Sequence, residues 1–294
     1  MKNILKIVPL LLVSVMVLSG CTGNGSIDPK NINYIQLEAP EKGDDIAIFD
    51  TTLGEVTVLL YTDEVPEVVE NFKYLVEEGF YNNTNVFRIE PEYMLTAFGA
   101  SDKEGLEADS INGKPQKVQY SNNLWPFAGS LCTITYGQGK VFKNYYYDSR
   151  SFFLGDIALT DFDREQMESM SYPVMMKYAF ETMGGVPAYS QYHSVFGKVI
   201  SGMDIVNAMA TAEYTEDPYS DEEIKKFEEQ GAEILTVKRP AEDIVIKSVT
   251  LSTYDPANYE SLDNCLSAEE IETLKAKAEE EQAKIDAAAM GETE

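Results

Sequence analysis

One histidine, three cysteines and one tryptophan are few for a chain of 294 residues, and 23 basic side chains stand against 50 acidic ones. No Cys-x-x-Cys pair and no cluster of cysteine with histidine occurs, so the sequence offers neither a structural zinc site nor a thiol redox motif. No metal and no other cofactor is expected. The shortage of Lys and Arg leaves a formal net charge of −27. Nucleic acid is thereby excluded as a partner, because its affinity comes from clustered cations. An acidic excess of this kind reads as a solvated face. Cys132 lies in an apolar stretch and reads as a small core residue.

Long apolar runs are missing too. The longest, Ile7 to Leu18, falls short of the roughly 20 residues that a membrane span requires. It follows Lys2 and Lys6 and precedes Ser19 and Gly20, which is the plan of a secretory signal over residues 1–20. Leu18-Ser19-Gly20-Cys21 resembles the lipobox of bacterial lipoproteins, which implies lipidation of Cys21 and anchoring at the outer face of the cell membrane. Two or more acyl chains hold such an anchor stably. The competing reading is a cleaved secreted protein with an incidental cysteine. Loss of residues 1–20 removes two lysines and no acid, so the charge goes from −27 to −29.

Residues 21–43, with Pro29, Pro40 and Gly43, read as a tether. β-rich runs follow at Ile46–Phe49 and Val56–Leu60, with turn residues between them that predict a hairpin. Val68, Phe72, Leu75 and Val76 recur at helical spacing between Pro66 and Gly79, predicting an amphipathic helix. Further short strands are expected at Asn85–Ile89, Tyr93–Ala97, Leu131–Tyr136, Ser151–Leu154, Ser194–Ile200 and Asp243–Leu251, with a helix near Asp204–Ala210. Many short strands and two core helices predict a mainly β chain built on a closed barrel. The domain is expected over 44–254, with insertions near 138–150, 156–187 and 212–238. Thr215–Gln230 is a helix candidate. The acidic tail, 255–294, carries the capping-box pattern Ser267-Ala-Glu-Glu270 ahead of a helix expected to be solvated.

The order of short motifs resembles one family. Thr52-Leu-Gly54-Glu, Pro66, Asn71-Phe72, Gly79-Phe-Tyr81, Val86-Phe87-Arg88-Ile89-Glu90-Pro91 and Tyr93-Met94 are similar to the first half of cyclophilin-type peptidyl-prolyl isomerases. Gly129, Phe152-Phe153, His193-Ser-Val-Phe196-Gly197-Lys-Val199 and Gly202-Met203-Asp204 are similar to the second half. The resemblance implies a closed eight-stranded antiparallel barrel capped by two helices. It implies a monomer that isomerises X–Pro bonds in proline-containing segments of exported proteins, without a cofactor. Arg88 then stands at the catalytic arginine, where its guanidinium would stabilise the prolyl nitrogen lone pair as amide resonance is lost. Tyr93, Met94, Phe153 and His193 fall on the pocket positions; the competing readings are a surface salt-bridge arginine for Arg88, core packing for Met94 and Phe153, and a satisfied loop histidine for His193.

Other positions depart from the family. Thr96 stands where a glutamine would orient the arginine, Thr135 where an asparagine would bind peptide, and Ser151 where a second glutamine would stand. Ala188 replaces a rim tryptophan, and Tyr189 takes a leucine position. A loosely held catalytic group is a weak one. Two readings follow: an isomerase of reduced activity, or a cyclophilin-like module that grips extended segments as a chaperone does. In a third, the acidic tail is functional and the barrel is its platform.

Overall fold

The computed structural model describes residues 31–138, 144–219, 224 and 236–291. The expected signal and Cys21 lie outside the described residues. The first hairpin forms as its pattern predicts. β1 (Asp45–Thr51) pairs antiparallel with β2 (Glu55–Leu60), and Thr51 Oγ1 closes the turn by accepting from the Leu53 and Gly54 amides. Helix α1 (Pro66–Glu77) buries Val68, Val69, Phe72, Leu75 and Val76 on one face. Proline suits its first turn, where the missing N–H would have no partner.

The run Asn85–Ile89, predicted as one strand, is divided between two edges. β3 (Thr84–Asn85) pairs with β14 (Val245–Thr253), whereas β4 (Arg88–Glu90) pairs with β5 (Leu95–Phe98). The bend falls at two residues. Val86 N–H donates to Ile244 O and Phe87 N–H donates to Ala97 O. Among the described residues the main sheet therefore has nine strands, in the order β3-β14-β1-β2-β11-β7-β10-β5-β4, where β7 is Ser130–Thr133, β10 is Ser151–Leu154 and β11 is Val195–Ser201. This is the mainly β, antiparallel architecture expected, with its closure corrected. The end strands share no ladder, so the barrel is a curled sheet whose ends are joined through Val86-Phe87.

The interior is aromatic. Phe49 packs against Phe72, Phe98 and Phe153 with ring centroids 5.3–6.1 Å apart. Cys132 is buried, its thiol pushed far above the ordinary range by burial, and both Cys132 and Cys265 are free.

The insertions have defined places. Residues near 138–150 contribute β8 (Tyr136–Gln138) and β9 (Asn144–Tyr147), which form a small sheet with β6 (Gln116–Lys117). Residues 156–187 form α2 (Asp161–Ser169) and α3 (Val174–Met183). They build a second core with Leu37, Trp125, Phe127, Ile271 and Leu274. After α4 (Met203–Ala210), β12 (Tyr214–Pro218) pairs with β13 (Thr236–Pro240). The helix expected from Thr215 is corrected at its start, because Thr215–Pro218 is paired strand. Residues 220–223 and 225–230 of that candidate lie outside the described residues.

Both ends of the domain differ from expectation. Part of the expected tether is packed: Leu37 is buried, and Gln36 both donates to Trp125 O and accepts from Trp125 N–H. Lys198, almost fully buried, donates to Gln36 O, Glu38 O and Cys265 Sγ at 2.8–3.3 Å. Helix α5 (Ala268–Gly291) starts at the predicted capping box, with Glu270 accepting from Ser267 N–H and O–H. Its first turns are docked rather than solvated. Ile271, Leu274 and Ala278 are buried, whereas Ile285 and Met290 are exposed.

Candidate active site

Strand pairing sorts the predicted residues onto two sides of one sheet. Cross-strand neighbours share a face and successive residues alternate. One row reads Arg88, Ala97, Phe152, Cys132 across β4, β5, β10 and β7. The next reads Ile89, Thr96, Phe153, Leu131. Phe153 stacks on Phe98 at 5.0 Å and meets Phe49 edge-on, so the second row faces the barrel interior. The Arg88 row therefore faces out.

Arg88, Tyr189 and His193 come together on that outer side. Phe152 meets His193 at 5.0 Å and Tyr189 at 5.9 Å between ring centroids, and Tyr189 meets His193 at 5.1 Å, all edge to face. The three rings form an apolar corner. The positive charge of Arg88 acts on both Tyr189 and His193. Burial pushes the His193 imidazole down to about 3, and Arg88 adds to that shift. His193 Nδ1 accepts from the Thr135 N–H at 3.3 Å, which also requires an unprotonated nitrogen.

The Arg88 side chain, 27% exposed, donates from Nε to Glu90 Oε1 at 2.8 Å. Burial works against its charge, but Tyr219 and Glu90 outweigh burial and hold the guanidinium above the ordinary arginine value. Tyr93 is 37% exposed, and its phenol is raised by burial and by the charges of Glu90 and Glu92. Met94 adopts a left-handed backbone with φ +49° and accepts from Gly155 N–H. That turn lets the chain pass from the helical turn Pro91–Tyr93 into β5.

Three expected residues are not brought to this corner. Thr96 is fully buried on the inner face, and its Oγ1 has no hydrogen-bond partner among the described residues. It cannot orient Arg88 through the sheet. Ser151 lies opposite Phe98 and Thr133, on the same inner face. Phe153 is core, and it is its neighbour Phe152 that meets Tyr189 and His193. Thr135 borders the site through its backbone, whose carbonyl also accepts from Tyr192 O–H at 3.4 Å.

Phe152, Ala97 and Glu90 were missed. Alternation could have found Glu90, since residues two apart on a strand share a face. Phe152 and Ala97 required knowledge of the pairing. The insertion hairpin also reaches this edge. Arg239 Nη1 donates to Phe87 O and Lys103 O, and Lys238 pairs with Glu92.

Residues 46–153 match the family model for cyclophilin type peptidyl-prolyl cis-trans isomerase. That stretch is 108 of the chain's 294 residues, and over it the chain is similar to the cyclophilin-type isomerases. A curated relative in Staphylococcus saprophyticus, named "Putative peptidyl-prolyl cis-trans isomerase", is 27% identical over 180 residues, covering 60% of this chain and 87% of the relative. One in Streptococcus pyogenes serotype M6, named "Putative bifunctional phosphatase/peptidyl-prolyl cis-trans isomerase", is 24% identical over 227 residues. That match covers 76% of this chain but only 42% of the streptococcal one. A solved cyclophilin-type isomerase of Cryptosporidium parvum aligns at 16% identity with a TM-score of 0.49, over 72% of this chain and 99% of that one.

Proposed function

We propose that this cyclophilin-type domain isomerises X–Pro bonds in exported proteins at the outer face of the cell membrane, held there by a lipid on Cys21. The observation that carries the catalytic part is the outward guanidinium of Arg88 beside the apolar corner of Phe152, Tyr189 and His193. A proline ring fits an apolar corner of that kind. The uncatalysed barrier of about 18–20 kcal/mol comes from amide resonance. A cation aimed at the prolyl nitrogen stabilises its lone pair in the twisted state, and no proton needs to move. His193, neutral by burial, serves as a wall and as an acceptor for Thr135 N–H rather than as a base.

The site residues of this reading are Arg88 as the catalytic group, with Tyr93, Met94, Phe152, Tyr189 and His193 around the proline. A protease-coupled assay on X–Pro peptides tests it. Arg88→Ala should lower kcat/KM at least a hundredfold, a loss of about 2.7 kcal/mol of transition-state stabilisation. Equal rates for the two proteins would overturn it.

The anchoring part rests on the signal and lipobox pattern. The chain is engaged with the domain from Asn31, whose carbonyl accepts from Asn122 Nδ2, through Ile32 on the second core and Asn33, whose N–H donates to Asn123 Oδ1, so about ten residues separate Cys21 from the domain and reach at most roughly 35 Å. Clients would then be chains emerging close to the membrane. Cys21→Ser should release the protein to the medium and abolish palmitate labelling.

A second reading, a cyclophilin-like module that binds without turnover, is favoured by one observation. Both backbone groups of Thr135, the expected peptide partner, are engaged by His193 and by Tyr192. Peptide binding without acceleration in the same assay would select it.

A further inference from the structure

The family pattern leaves Arg88 without its expected partner. The residue opposite Arg88 on the outer face of β5 is Ala97, whose methyl offers no acceptor, and Thr96 faces the core. Four freely rotating torsions and a rigid donor fork would leave the guanidinium unaimed unless something else holds it. Glu90 sits two residues along the same edge strand, so its side chain rises on the same face. It takes the Nε–H of Arg88 at 2.8 Å, with 27% of the arginine side chain and 20% of the glutamate side chain exposed. Partial removal from water strengthens a charge-assisted bond relative to a fully exposed pair. Glu90 thus takes Nε, while the charge of the guanidinium is also felt at Tyr219, Tyr189 and His193.

Resting on the isomerase reading above, we infer that Glu90 is a positioning residue for Arg88 and stands in for the glutamine that the family pattern places on β5. The carboxylate holds the guanidinium by its inner nitrogen and does not touch substrate. The substitution has a chemical consequence. A glutamine amide would aim the arginine without altering its charge, whereas the Glu90 carboxylate aims it and partly offsets that charge. Aim and strength are thus opposed at this position, and Glu90→Gln separates them.

The test compares Glu90→Ala and Glu90→Gln with the parent in the protease-coupled assay, alongside Arg88→Ala. Positioning predicts that Glu90→Ala lowers kcat about tenfold with KM within twofold. Glu90→Gln, which keeps an acceptor oxygen, should stay within threefold of the parent or exceed it. A readout independent of turnover is the Nε–H signal of Arg88 in 15N-arginine-labelled protein, where only four arginines contribute. That signal should be sharp and slow to exchange in the parent and in Glu90→Gln, and broadened in Glu90→Ala. Parental kcat in Glu90→Ala, or an Nε–H signal there as sharp as the parent's, overturns the inference. A parental rate in Arg88→Ala overturns the isomerase reading instead, and the Nε–H comparison still decides whether Glu90 holds the side chain.

Discussion

Replacing Thr96 by valine separates two roles that the family pattern and the tertiary structure assign to one position. The hydroxyl is fully buried, and its Oγ1 has no partner among the described residues. A buried hydroxyl without a hydrogen bond costs about 1–3 kcal/mol of desolvation. Valine keeps the branched shape, removes that cost and adds an apolar group of the size of one methyl, worth about 0.8 kcal/mol when buried. Ile89, Phe153 and Leu131, in the same inner row, leave little room to spare, and tight packing takes back part of the gain. A net stabilisation of about 1–2 kcal/mol is expected, which raises the melting temperature by roughly 2–8 °C for a domain of this size. Urea unfolding at constant m-value measures it. kcat/KM on X–Pro peptides should be unchanged, because the side chain lies across the sheet from Arg88. A tenfold fall in kcat/KM without a gain in stability would refute the face assignment, and with it the argument that Arg88 needs Glu90.

Neighbouring phenylalanines should respond oppositely. Phe152→Leu should raise KM severalfold, since its ring lies against Tyr189 and His193. Phe153→Leu should leave KM alone and cost about 1 kcal/mol in urea unfolding, since its ring packs on Phe49 and Phe98. Acidification should expose His193, the chain's one histidine. Its folded value is pushed down to about 3, so the unfolded chain gains a proton below about pH 6.5 that the folded chain refuses. The stabilising contribution is present above that pH and is lost as pH falls, at about 1.4 kcal/mol per pH unit. Between pH 7.5 and 5.5 the parent should lose about 1.4 kcal/mol more than His193→Phe does. Identical losses would mean that the imidazole titrates alike in both states.

Several features were legible because they depend on local periodicity. The β1–β2 hairpin, helix α1, strands β10, β11 and β14, and the capping box of α5 follow from alternation, helical spacing and turn chemistry within a few residues. The motif order around Arg88 carried the resemblance to cyclophilin-type isomerases, and the family model matches over the same region. Even Glu90 was readable in principle, from its place two residues beyond Arg88.

The sidedness of the site was a different matter. A shift of one residue turns every side chain of a strand to the other face of the sheet, and nothing within Leu95–Phe98 or Ser151–Leu154, buried throughout, marks which face is which. Pairing with β4 and β7 settled it. That pairing puts Phe152 rather than Phe153 beside Tyr189 and His193, and it puts Thr96 and Ser151 in the core. The same holds for the chain ends. Gln36, Leu37 and the first turns of α5 look polar or solvated in isolation, and they become buried because α2, α3 and Trp125 supply a second apolar surface to cover. Local pattern determined which elements exist and which family the motifs resemble. Contacts between residues distant in sequence decided which side chains share a face with Arg88.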